Sequence, residues 1–343
     1  MHKPSSSRRD FLRASAALTC VALSASAAQE PPGQGPKIEH RRFGKTDMYV
    51  ALLGFGGAEI GFEKTEQGTV ERLLNSALDA GLNVVDTAEC YVESELQIGA
   101  AIGHRRKEFH LFTKVGHNPV EGDQNSDWSK PAILRSIERS LTRLKTDVID
   151  LVHLHSCGIE ELERGDCIEA LEQAKKEGKT RYIGYSGDSK AALKAIELGR
   201  FDSLQTSVNF CDQECIELTL PLAKEKQMGV VAKRPIANAV WRHDAKPPSA
   251  YHHEYWQRLQ ELKYEFATGD ARSRQDADGP AGIAMRFAAM QPAVSVLIVG
   301  TTKPERWKQN ADLMRAGPLD KALHDSIRAR WKAVAKPGWV GQI

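Results

Sequence analysis

Short apolar runs and amphipathic helical periods alternate eight times between residues 51 and 314, and this beat constrains the fold more than any other feature. The strand-like runs fall at 51–55, 83–86, 110–114, 149–155, 181–186, 203–208, 229–233 and 294–299. Helical periods follow them at 65–80, 94–102, from Ser129 onward, and at 166–177, 190–198, 214–226, 280–289 and 303–314, with one more at 321–335. The first carries Val70, Leu73, Leu74, Ala77 and Leu78 on one face and stops at Gly81; such spacing defines one face of a 3.6-residue period. Ser129 stands at an expected cap, with Pro131 in the first turn after it. Strands alternating with helices predict an α/β fold, a single-domain (β/α)8 TIM barrel, and such barrels commonly fill a chain of 343 residues alone. Two short strands within 38–50, turning at Gly44-Lys45-Thr46, are expected to plug one mouth. Residues 235–278 interrupt the rhythm after the seventh strand, with a helix expected over 251–266. They form a long insertion placed to fold over the active face as a lid, the bland alternative being a surface decoration.

In such barrels, reacting groups sit at the C-terminal ends of strands. Asp86 ends the second strand, Tyr91 follows in its loop, Lys114 ends the third and His155 the fourth. Each has a bland reading: a helix cap, an edge charge, a packed aromatic, a core histidine. Their joint placement on three successive strand ends points to one site. Gly54-Phe55-Gly56-Gly57 after the first strand would let a ligand approach the backbone, although it is not a Rossmann fingerprint. His153 and His155 lie on one side of a strand, as zinc ligands do in hydrolase barrels. That alternative needs further ligands at other strand ends, and only His117 is near; no metal is expected.

The N-terminus stands apart. Ser7-Arg8-Arg9-Asp10-Phe11-Leu12 precedes a small-apolar run to Ala27 and resembles a twin-arginine export signal. Residues 1–27 are read as that signal, 28–37 as a linker and 38–343 as the barrel; the protein is expected to be exported, with no stable membrane span after processing. Across the chain 47 Lys and Arg face 45 Asp and Glu. Removing the signal would take four bases and one acid, so nothing argues for nucleic acid. The remaining cysteines, at 90, 157, 167, 211 and 215, are odd in number and irregularly spaced, unlike a disulfide framework.

Several stretches resemble the aldo-keto reductases in order along the chain. They are Asp86-Thr87-Ala88-Glu89-Cys90-Tyr91, Thr113-Lys114-Val115-Gly116, the run from Ser140 to His155, Gly178 to Ser186, and Gly300 through Arg306 to Asn310. The resemblance implies a catalytic tetrad: Tyr91 as general acid, Lys114 lowering its pKa, Asp86 holding the lysine, and His155 orienting the substrate oxygen. It implies a nicotinamide cofactor contacted by Gly57, Ser186, Gln205, Lys233, Thr301, Lys303, Arg306 and Asn310. Arg306 beside Lys303 favours NADP(H), with NAD(H) as the other choice. The expected substrate is a small carbonyl compound or alcohol. Two positions depart from the family: Gly187 replaces the usual asparagine after the serine, and Lys233 stands where an aromatic usually stacks on the nicotinamide. A non-catalytic NADPH sensor, as in potassium-channel β-subunits, is the alternative within this fold.

Overall fold

A computed structural model describes residues 38–117 and 126–342; the expected signal and linker lie outside them. Eight parallel strands close into a barrel in the order β10-β3-β4-β5-β6-β7-β8-β9. They are β3 (Leu53–Gly56), β4 (Val84–Asp86), β5 (His110–Val115), β6 (Ile149–His155), β7 (Thr180–Ser186), β8 (Ser203–Ser207), β9 (Gly229–Lys233) and β10 (Val294–Gly300). Each strand lies within about two residues of its expected span. The helices pack outside, with Val70, Leu73, Leu74, Ala77 and Leu78 of Gln67–Asp79 buried as the periodicity predicts.

Side chains alternate across a strand, so residues two apart face the same side. That alternation builds the interior in layers. Val84, Phe112, Leu151 and Val231 belong to one apolar cluster inside the barrel. Two residues further along the same strands stand Asp86, Lys114, His153 and Lys233. The interior therefore changes from apolar to polar toward the C-terminal ends. Register carries the polar layer sideways: Lys114 pairs with His153, His155 with Ser186, and Ser186 with Gln205.

The other mouth is plugged by an antiparallel hairpin, β1 (His40–Arg42) and β2 (Tyr49–Ala51). Its Phe43, Met48 and Val50 join the apolar cluster, and Phe43 meets Phe112 at 5.4 Å between ring centroids. Gly44 turns the chain with φ of 55°. A Cβ there would lie 2.3 Å from the Gly229 nitrogen, so only glycine lets the turn press against the start of β9.

Four local expectations are corrected. The single helix over 214–226 is broken into Glu214–Leu218 and Leu220–Glu225, because Pro221 lacks an amide proton and its ring disfavours continuation from the preceding turn. The insertion's helix is shorter than expected, His253–Leu262, and ends at Lys263 with φ of 49°; 3-10 turns flank it. Ser129 occupies its cap position without a side-chain capping bond; the Asp127 carboxylate instead accepts from the Ser129 amide at 2.9 Å. The periodicity also overlooks the short helices Ala58–Phe62 and Ile159–Arg164.

Candidate active site

The site is built upward from a buried ion pair. Lys114 donates to Asp86 Oδ2 at 2.6 Å and to the Thr87 carbonyl at 2.8 Å. Both charged side chains are almost wholly inaccessible, at 1% and 2% exposure. Gln205 donates to the other Asp86 oxygen at 2.9 Å, and Ser186 donates to Gln205 Oε1 at 2.9 Å. Burial raises the Asp86 carboxyl against the pull of Lys114 and Gln205.

The loop after β4 carries Tyr91 over this pair, and several bonds fix its course. Thr87 donates its amide to Phe112, and its hydroxyl meets Ser94 at 2.8 Å. The buried Glu89 carboxylate accepts from Ser136 and Arg139 of the helix Lys130–Leu144. Val92, next to Tyr91, has φ of 52°. A β-branched residue adopts that conformation only under strain, and such strain collects at functional sites. The Lys114 ammonium lies 4.8 Å from the centre of the Tyr91 ring, a cation–π arrangement. His155 meets the ring edge at 5.6 Å and 78°.

One electrostatic expectation is reversed. The tyrosine was to be acidified by Lys114, yet its phenol lies well above the ordinary range. Burial is the main cause, with Asp86 and Cys90 adding to it and Arg234 opposing it. The phenol therefore holds its proton firmly. His155 is displaced downward, first by burial and then by Lys114, His117 and Lys233, so its imidazole is neutral. Its Nδ1 lies 3.3 Å from Cys90 Sγ.

A cleft of about 460 Å³ opens above these groups. Asp86, Tyr91 and His155 line it together with Gly57, Ser186, Gln205, Lys233, Thr301, Lys303, Arg306 and Asn310. All the expected cofactor contacts thus share one cleft with the candidate tetrad, while Lys114 lies beneath its floor. His153 belongs elsewhere. Fully buried, it bonds Ser203 at 3.1 Å and meets Phe112 edge-on. A Cβ at residue 184 would come within 2.4 Å of it, so Gly184 makes the room it occupies. Among the described residues, no group of three or more His, Cys, Asp or Glu is arranged to hold a metal ion.

The donor set suits a dinucleotide. At one end stand Ser186 and Gln205, hydrogen-bonded to each other, with Gln205 also bonded to Asp86. At the other, Lys303 and Arg306 precede or begin the helix Arg306–Met314, and neither is in an ion pair among the described residues. Cations and a helix N-terminus together favour phosphate. Lys233 is held by the buried Asp188 carboxylate at 2.8 Å, which also accepts from Thr206 and the Ser207 amide, each at 2.7 Å.

Sequence reasoning missed several groups around this cleft. Asp188, buried against Lys233, is one of them. Arg234 donates to Tyr251 at 3.0 Å and to the Gln342 carbonyl, joining the β9 end to the insertion and the C-terminal segment. Arg258 donates to Val340 at 2.8 Å. Asn238, Trp241, Tyr251 and His252 bring the insertion into the cleft wall, so it is more than surface decoration.

The geometry and the sequence agree on ancestry. The sequence profile of the aldo/keto reductase family matches residues 52–332. This chain belongs to that family. It is 31% identical over 305 residues to the oxidoreductase YqkF of Bacillus subtilis, covering 86% of this chain and 97% of the relative. It is 26% identical to L-galactose dehydrogenase of Arabidopsis thaliana, covering 80% and 87%. An aldo-keto reductase of Bacillus halodurans, solved in its holo form, superposes with a TM-score of 0.74 at 27% identity, covering 88% of this chain and 99% of that one. The barrel, the cleft at its C-terminal mouth and membership of an oxidoreductase family are thus consistent.

A carboxylate behind the family site makes a pH prediction. Glu95 accepts from Thr113, the neighbour of Lys114, at 2.7 Å, and burial raises its carboxyl from 4.5 to about 7. Between those values the folded protein binds more protons than the unfolded chain, so stability falls as pH rises from 4.5 to 7 and levels off above. Urea unfolding of the parent and Glu95→Gln at pH 5 and pH 8 should show the parent losing about 2–3 kcal/mol relative to the variant. Parallel pH dependence in the two proteins would exclude the raised carboxyl.

Proposed function

We propose that this protein interconverts an aldehyde or ketone with its alcohol using NADP(H), with Tyr91 as the proton donor in reduction. The observation that carries this reading is the buried Lys114–Asp86 pair beneath the Tyr91 ring, with neutral His155 at the ring edge; Asp86, Tyr91 and His155 line one cleft and Lys114 lies beneath its floor. A bound nicotinamide would supply the hydride to the carbonyl carbon. The protein's part is to place and charge-balance the oxygen. His155, being neutral, donates a hydrogen bond to that oxygen without surrendering a proton. Tyr91 gives its proton as the carbonyl π pair moves onto oxygen. A phenol pushed above its usual range is protonated throughout the physiological range, which suits an acid waiting for its substrate. The negative charge left on Tyr91 is met by the Lys114 ammonium and by Arg234. Asp86 keeps Lys114 in place and does not touch the substrate.

The preference for NADP(H) rests on Arg306 and Lys303, whose side chains are available to a 2′-phosphate. Likeness to an L-galactose dehydrogenase supports testing aldoses beside simple aldehydes, ketones and quinones. Tyr91→Phe should lower kcat for carbonyl reduction by about 10²–10⁴-fold, while the Kd for NADPH changes by less than about twofold. Lys114→Met should also be severe. Full activity in Tyr91→Phe would refute the assignment. A parent protein that binds NADPH but turns over nothing in the panel would favour the sensor reading.

We also propose that residues 1–27 direct export through the twin-arginine route, on the strength of Arg8-Arg9 and the apolar run behind them. Such a route would carry the barrel across already folded. Fractionation of bacteria producing the full chain should place it outside the cytoplasm, and the double change Arg8→Lys, Arg9→Lys should retain it inside. Equal distribution of both forms would end that proposal.

A further inference from the structure

Cys90 sits one residue before the proposed acid and is absent from the roles assigned so far. Its Sγ lies 3.3 Å from His155 Nδ1. His155 lines the cleft, and with Nδ1 taken by the cysteine, Nε2 is the nitrogen left for a substrate oxygen. The ring is held between two others, Tyr91 at 5.6 Å and His117 at 4.9 Å, both edge-on. His117 is itself fixed through Nδ1 by Ser126 at 2.7 Å.

We propose that Cys90 is a positioning residue: its S–H donates to His155 Nδ1 and keeps the imidazole proton on Nε2, facing the cleft. This rests on the reading of His155 as the group that holds the carbonyl oxygen.

The chemistry of the pair selects that direction. A neutral imidazole has one donor and one acceptor nitrogen, and its partner decides which is which. Burial pushes the Cys90 thiol up to about 12, so sulfur keeps its proton and has one to give. A thiol is a weak donor and a weak acceptor alike, so the direction is decided by what Nε2 must offer to the cleft. The groups facing His155 are Lys114, His117, Lys233 and His153, and all oppose a second proton on the ring. The imidazole thus stays neutral, and a tautomer must be chosen. With the proton on Nδ1, Nε2 would present a lone pair to a carbonyl oxygen, and two acceptors would face each other. With it on Nε2, the same nitrogen donates.

The test reads the tautomer directly. Protein labelled with ¹⁵N-histidine is examined by NMR near pH 7.5, with His155 assigned by comparison with His155→Asn. In the parent, Nε2 should resonate in the protonated range and Nδ1 in the unprotonated range. Cys90→Ser, which retains a donor, should keep this pattern and most of kcat. Cys90→Val, similar in size but without a donor, should shift both nitrogens toward mixed values. It should lower kcat about five- to tenfold, the worth of roughly one hydrogen bond, with NADPH affinity unchanged. A parent His155 protonated on Nδ1 would overturn the proposal, whatever the variants do. So would Cys90→Val with parental signals and parental kcat. An Nε2–H signature in a parent protein that reduces no carbonyl would leave the tautomer standing and refute the assigned reaction.

Discussion

A lysine and an aspartate held 2.6 Å apart in the barrel interior are the interaction on which the rest of this structure depends. Removing two charges from water costs several kcal/mol per ion, and such a pair is tolerated only when its remaining hydrogen-bonding capacity is met. Here it is met from neighbouring strands. Lys114 reaches the Thr87 carbonyl as well as Asp86, and Asp86 takes Gln205, which takes Ser186. The pair therefore ties β4 and β5 to β7 and β8 across the barrel. Losing one partner would leave an uncompensated buried charge, at a cost of about 3–5 kcal/mol. The groups proposed for catalysis and for the cofactor thus share one network. Stability and function are not separable at this level of the barrel.

What stands above the pair is arranged by loops. Tyr91 is carried by a segment pinned through Glu89 to the helix Lys130–Leu144 and bent at Val92. Its proton is held tightly because burial outweighs the nearby cations. That balance gives the site a resting state in which both the phenol and the imidazole are neutral, above one buried ammonium. In the proposed reaction charge would appear on the phenol only as its proton leaves, where Lys114 and Arg234 stand to answer it. The insertion completes the rim, and Arg234 and Arg258 tie that side of the cleft to the C-terminal segment.

Much of this was legible from residues alone, for a physical reason. A strand that is apolar low in a barrel and polar at its end writes its change of environment into the chain: Val84 then Asp86, Phe112 then Lys114, Leu151 then His155. The helix faces were equally plain. Pro221 should have been read as a break in its helix, and the signal was there to use. Other features were hidden because they depend on loop backbone. Nothing in the sequence says that Cys90 turns toward His155, or that Asp188 closes on Lys233. The direction of the Tyr91 shift was misjudged because only the charge of Lys114 was weighed, and burial acts more strongly. The reading of residues 1–27 falls outside the described structure.

The claim at the centre of this account is that the cleft above the ion pair brings a nicotinamide C4 and a substrate carbonyl together for direct transfer. Incubating the purified protein with NADPH dideuterated at C4 and an aldehyde or aldose substrate, then examining the alcohol by mass spectrometry, tests it most directly. The account predicts one deuterium on the new carbinol carbon, in proportion to nucleotide oxidised. Oxidation of the nucleotide without deuterium in the alcohol, or no alcohol at all across the substrate panel, would contradict it.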